Sequence, residues 1–107
     1  MPRIEIRIPP QHPVFAGHFP GMPVVPGAML LDEALWAIEE STGVSVTQWI
    51  VKSVKFKMPV RPGELVTLRF EQTAQAGLRF ELHSPTGIVG SGVLTRAAAT
   101  GNARDEG

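Results

Sequence analysis

One histidine and a pair of acids stand at opposite ends of a stretch dense in proline and glycine, Gly17 to Trp36, GHFPGMPVVPGAMLLDEALW. His18 carries an imidazole that can take up a proton near neutral pH. Asp32 follows fourteen residues later, with Glu33 next to it. If the apolar run from Ala28 is helical, the neighbours of Asp32 at three and four residues are Ala28, Met29, Leu35 and Trp36. A carboxyl shielded from water by such neighbours can be held as a general acid. Gly27, at the expected helix start, offers a backbone amide at the positive end of the macrodipole, where a developing oxyanion can be held. A base, an acid and an oxyanion donor in one stretch suit proton abstraction next to a carbonyl, with loss or gain of water.

The remaining chemistry-bearing residues read more plainly. His12 is a loop residue before Pro13, and His83 falls in an expected strand with its ring towards solvent. Glu33 reads either as an exposed helix charge or as the alternative acid. Met29 and Trp36 read as core. The glycines form neither a GxGxxG pattern nor a phosphate loop, and the Gly/Pro run has no lysine to hold a phosphate.

Something must position these groups. Pro20, Pro23 and Pro26 with Gly17, Gly21 and Gly27 stiffen and bend the segment ahead of the helix, because proline lacks the amide donor and restricts the residue before it. Gln11 to Pro26 is therefore expected to be a long loop, anchored by Phe15, Phe19, Val24 and Val25, and loops of that length are commonly functional. Gly27 opens a helix running to about Thr42, with Gly43 as its stop. Its first half (Ala28, Met29, Leu30, Leu31, Ala34, Leu35) is apolar almost all round and is expected to be buried on most sides; its second half (Glu39, Glu40, Ser41, Thr42) turns polar. Arg3 to Ile8 alternates isoleucine with charge, the period of a half-buried strand. Beyond the helix, strands are expected over Val44 to Phe56, Leu65 to Gln75, Leu78 to Ser84 and Ile88 to Arg96. They are joined through Met58 to Gly63, Ala76-Gly77 and Pro85 to Gly87. The order predicts an α+β domain, a long helix with an antiparallel sheet, over residues 1–96. From Ala97 the composition falls to Ala, Gly, Asn, Asp and Glu, and 97–107 is expected to be a disordered tail.

Composition narrows the function. The 107 residues suffice for one domain, and 43% are hydrophobic, enough for a core. Ten basic and ten acidic residues cancel; with no basic stripe, nucleic acid is excluded as the expected partner. A short domain of zero net charge gains from burying surface against another copy. With no cysteine, disulfides, zinc–thiolate sites and thiol catalysis are ruled out. MPRIEIRIPP lacks the apolar core of a signal peptide, and no run approaches the roughly 20 residues of a membrane span. A cytoplasmic, bacterial-style domain is expected.

The run HFPGMPVVPGAMLLDEALW resembles the active-site segment of the (3R)-hydroxyacyl–acyl carrier protein dehydratases of the FabZ/FabA type: His-Phe-Pro, a Pro-Val pair, Pro-Gly, an apolar pair and a carboxylate. The likeness is contiguous and ungapped from Gly17 to Asp32. A second stretch, VKFKMPVRPGELV, resembles that family's strand followed by a Pro-x-x-Pro-Gly-acid turn. The resemblance implies the hot-dog fold, a long central helix wrapped by an antiparallel β-sheet, and a homodimer or multiple of dimers with active sites at the interface. It implies dehydration of a 3-hydroxyacyl thioester on acyl carrier protein to the trans-2-enoyl thioester. His18 would take the C2 proton. Asp32, expected from the partner subunit, would assist departure of the C3 hydroxyl, with Glu33 as the alternative. The Gly27 amide would bond the thioester carbonyl. Phe19, Pro20 and Pro26 would shape the loop and the tunnel mouth, and Met29, Leu30 and Leu31 would line the tunnel. No metal or organic cofactor is implied, since the phosphopantetheine arm belongs to the substrate.

The chain departs from the pattern in three ways. It carries Asp32 where most FabZ-like members have Glu, and Trp36 where a glutamine often follows. It is also shorter than the primary fatty-acid dehydratases and lacks their N-terminal extension, which points to a shorter or specialised substrate such as an aryl polyene or polyketide-like intermediate. The alternatives are a hot-dog thioesterase and a non-catalytic hot-dog subunit that binds acyl carrier protein.

Overall fold

The computed structural model describes residues 3–7 and 25–97. His12, His18, Phe19 and Pro20 lie outside the described residues, as do 98–107. The first strand, β1, is Arg3–Arg7; the helix α1 is Gly27–Thr42; four strands follow, β2 Trp49–Phe56, β3 Leu65–Thr73, β4 Gly77–Ser84 and β5 Gly87–Arg96. They form a five-stranded sheet in the order β1-β3-β4-β5-β2, every pairing antiparallel.

Alternation decides which face of the sheet is core. Val66, Leu68 and Phe70 on β3 and Leu78, Phe80 and Leu82 on β4 are buried, with Ile6 and Leu94 on the same side. Between them stand Arg69, Glu71, Arg79, Glu81 and His83, facing the other way. Along α1 the buried residues are Leu30, Ala34, Ala37 and Ile38, a spacing that makes one stripe of a helix. Stripe and sheet meet in one cluster with Val25, Val60 and Val89. Two glycines on β5 make room for rings. Gly92 lies opposite Phe80, and a Cβ there would stand 2.5 Å from the Phe80 ring. Gly90 does the same for Phe56, its partner on β2.

The helix ends where expected. Gly43 takes the left-handed conformation (φ 77°) and its N–H bonds the Glu39 carbonyl at 2.8 Å, the backbone state glycine adopts without steric cost. The strand expected from Val44 does not begin there. The Glu39 carboxylate accepts from the Val46 N–H at 3.2 Å and Ser45 Oγ accepts from the Thr47 N–H. These side chains hold Val46–Gln48 as a 3-10 turn, so β2 starts at Trp49. The β3–β4 connection also lies earlier than expected. The turn is Ala74 to Gly77, closed by the Gly77 N–H to the Ala74 carbonyl, with Gln75 and Ala76 both at φ 61°. Two positive φ values at the central positions of the four-residue turn are the type I′ pattern, built here without the usual Asn-Gly and within a three-residue connection between the paired Thr73 and Gly77. Likewise β5 begins at Gly87 rather than Ile88. Ala97 donates to the Gln48 carbonyl at 2.7 Å.

Three burial expectations are corrected. Trp36, read as core, is 56% exposed. Asp32, expected to be shielded by its helical neighbours, is exposed, and Ala28 with it. At about 100° per residue, Asp32 lies on the side of α1 opposite the Leu30–Ala34–Ala37–Ile38 stripe, and the sheet covers only that stripe. His83, expected to face solvent, is on the outer face but only 25% exposed, its Nε2 2.8 Å from Glu81 Oε1.

Candidate active site

Proline stands at the N-cap of α1. Pro26 (φ −59°, ψ 142°) supplies no side-chain acceptor, and its carbonyl takes both the Met29 and the Leu30 N–H, at 3.0 and 3.1 Å. The Gly27 and Ala28 amides are left with no acceptor among the described residues. Unsatisfied N–H groups at a helix start carry the positive end of the macrodipole and bind negative charge. Among the described residues the Gly27 N–H is thus a free donor.

Gly27 lines an apolar cleft of about 520 Å³ together with Val25, Pro26, Leu30, Phe56, Lys57, Met58 and Pro59. Its walls come from three places in the sequence. The chain ahead of the helix is fixed by the Val25 N–H bonding the Val60 carbonyl at 2.7 Å. The end of β2 contributes Phe56. The turn beyond it is held at both ends: Lys57 and Met58 both donate to the Val89 carbonyl, at 2.7 and 3.3 Å, and the Glu64 N–H bonds the Arg61 carbonyl. Within that second turn Gly63 sits at φ 80° after Pro62, the arrangement of a type II turn. Glu64 Oε1 also accepts from the Arg61 N–H.

Of the residues named from the sequence, the structure brings Pro26, Gly27 and Leu30 together at this cleft. Met29 and Leu31 are half-buried and pack against the core cluster instead. Asp32 is one helical turn further on, facing away from the sheet, and Glu33 is half-buried on a different side of α1; one carboxylate at most can face a given point. His18 lies outside the described residues. Phe56, Lys57 and Met58 were not singled out as wall residues. In the sequence Phe56 is one more apolar residue of a strand, and only the glycine opposite it, Gly90, hints at an unusual position. Among the described residues no three histidine, aspartate or glutamate side chains come together to hold a metal ion, and no helix is long and apolar enough to cross a membrane.

Known proteins share this architecture. Similar solved structures include the dehydratase heterocomplex ApeI:P from Xenorhabdus doucetiae, with a TM-score of 0.69 at 23% identity over 90% of this chain and 86% of that one. The dehydratase domain of the polyketide PpsC from Mycobacterium tuberculosis gives 0.72 at 20% identity, over 91% of this chain and 39% of that one. At those identities the likeness is one of fold, and the fold is the hot-dog. In sequence, the 3-hydroxyacyl-[acyl-carrier-protein] dehydratase FabZ of Chlamydia trachomatis is 34% identical over 68 residues, 55% of this chain and 44% of the relative. The chain thus spans about half the length of the curated relatives it matches. The ApeI-like family model, described as ApeI dehydratase, matches residues 2–93. By that match the chain belongs to the ApeI-like family of FabZ-type hot-dog dehydratases.

Proposed function

We propose that this protein removes water from a 3-hydroxyacyl thioester carried on acyl carrier protein, giving the trans-2-enoyl thioester. The observation that carries the reading is the uncapped Gly27 amide at an apolar cleft, in the segment that also contains His18. His18 takes the C2 proton as general base. The electron pair left on C2 delocalises into the thioester carbonyl, whose oxygen gains negative charge and accepts a hydrogen bond from Gly27. Collapse of that enolate forms the C2–C3 double bond and expels the C3 hydroxyl, which leaves as water with a proton from Asp32. Atoms balance as loss of one water, with no metal or cofactor taking part. Pro26 and Leu30, with Phe19 and Pro20, shape the acyl cleft.

Asp32 can act in this scheme only if something covers it, and the same holds for the exposed Trp36. One of the two edge strands among the described residues is β2, an apolar eight-residue strand with Ile50, Val51 and Phe56 exposed. An unpaired edge of that kind is a template for another strand. Both features support a homodimer in which β2 pairs with its counterpart and a partner surface closes over Asp32. Residues 1–96 are read as the single domain that does this.

The test is turnover of a short 3-hydroxyacyl thioester on acyl carrier protein, followed by appearance of the conjugated enoyl product. His18→Ala should lower kcat about a thousandfold, within the range of a lost general base, with the fold intact. Asp32→Asn should do likewise and Glu33→Gln should not; the reverse would hand the acid's role to Glu33. Release of free thiol in place of enoyl product would make the protein a thioesterase. Binding of acyl carrier protein without turnover would make it a carrier-binding subunit.

A further inference from the structure

Phe56 ends β2 directly opposite Gly90 of β5, and its ring touches more than that strand. A Cβ built on Gly90 would lie 2.9 Å from Cδ1 of the ring, and one built on Gly27 would lie 2.9 Å from Cδ2 and 3.0 Å from Cε2. The two glycines therefore press on opposite edges of one aromatic ring. Real Cβ atoms do not approach so closely, so neither position accepts a side chain while the ring stays where it is. On the Gly90 side a Cβ would also meet the Lys55 carbonyl at 2.7 Å, so that position is closed to a side chain by backbone as well as by the ring. Part of the ring remains open (39% exposed) and forms a wall of the apolar cleft.

The helix start needs such a support. Pro26 provides no side-chain cap, so no local bond of the usual N-cap kind fixes the direction of the Gly27 amide. What holds this end of α1 is tertiary. Val25 is tied to Val60, Lys57 and Met58 are tied to Val89, and Val89 is the extra residue where the β4–β5 register shifts. Phe56 directly precedes the Lys57–Met58 anchor in the chain. It spans from the sheet to the first residue of the helix.

We infer that Phe56 is a positioning residue for the Gly27 amide: a strut, seated between two glycines, that sets where the helix-start donor points. The inference rests on the proposal that Gly27 bonds the thioester carbonyl. A donor displaced by a fraction of an ångström stabilises the developing oxyanion poorly, and loss of one such donor costs on the order of 10²–10³ in kcat. Moving it by relaxation of a neighbour should cost less, on the order of tenfold.

The experiment is a double-mutant cycle on the full chain, using Phe56→Val, Gly27→Ala and the pair, with a short 3-hydroxyacyl thioester on acyl carrier protein as substrate. Circular dichroism and thermal unfolding are run on each variant. Phe56→Val keeps an apolar strand side chain but removes the δ and ε atoms that meet Gly27 and Gly90, and kcat should fall about tenfold with KM changed less than threefold. Gly27→Ala drives its methyl into the ring and should fall about a hundredfold in kcat. Phe56→Val makes room for that methyl, so the pair should be at least tenfold more active than Gly27→Ala alone. A purely structural role would move the thermal midpoint and leave kcat of the folded variants unchanged. That outcome, or losses in kcat that simply multiply, overturns the inference while the dehydratase reading stands. A native protein that leaves the thioester intact overturns the dehydratase reading, and the strut's catalytic role falls with it.

Discussion

The middle of the sheet and the β2 side of the molecule are built from the same kinds of residue to opposite effect. On β3 and β4 every apolar side chain of the inner face is covered: Val66, Leu68, Phe70, Leu78, Phe80 and Leu82 are each at most 3% exposed. On β2, a strand no less apolar, only Trp49 and Val54 are even half-buried, and the outward side of α1 leaves Trp36 to solvent. One region satisfies itself within the chain. The other leaves its apolar residues uncovered among the described residues, and the Asp32 carboxylate is exposed as well. The inner region supplies stability; under the proposed function, the outer one is where a partner would complete the site.

The contrast can be broken from its strong side first. Phe80→Ala removes a ring that fills the space over Gly92 and should cost about 3–5 kcal/mol, enough to unfold much of the population; chemical denaturation measures it. The unfinished side should respond in assembly before it responds in folding. Val51→Lys puts a charge where β2 would meet its counterpart, at a cost of about 3 kcal/mol per buried charge. Sedimentation should then show a shift from dimer towards the 11.6 kDa monomer, with a near-native circular dichroism spectrum and dehydratase activity lost. A Val51→Lys protein that stays dimeric would remove β2 from the interface. Ala76→Gly sharpens the comparison from within the self-sufficient region: glycine accepts the positive φ that alanine bears at a cost, so the hairpin should gain about 1 kcal/mol with no change in assembly. The smallest effect belongs to the outer face. Arg79 and Glu71 make a 2.8 Å ion pair with both side chains largely in solvent, and Arg79→Ala should change stability by less than about 0.5 kcal/mol.

Much of this was legible in the chain. Gly27 and Gly43 bracket the helix because an apolar period begins after one and stops before the other. The alternations of Arg3 to Arg7 and Leu78 to Ser84 name their strands outright. The Gly17–Asp32 segment resembles the dehydratase motif residue by residue, and the family match agrees with it. What was not legible has one physical source. A sequence tells which residues are apolar but not which surface covers them, so Trp36 and the neighbours of Asp32 read as interior although the sheet reaches only the other side of α1. The 3-10 turn was hidden because it depends on a carboxylate seven residues back, Glu39, finding the Val46 N–H. Phe56 was hidden because its role comes from two glycines distant in sequence, neither of which carries a side chain to signal it.

The strand order has a consequence for how the chain is made. β2 pairs with β5, and all of β3 and β4 is synthesised between them. While β3 and β4 close as a local hairpin, β2 waits with its apolar residues and its backbone donors and acceptors uncommitted on both edges. The last of the described strands is thus the one that gives β2 a place in the sheet. Pairings of such long separation form late, and an unpaired edge is most prone to meet the wrong partner in that interval. The interval is set by topology: the same edge that would join two finished subunits is the last part of each to be secured.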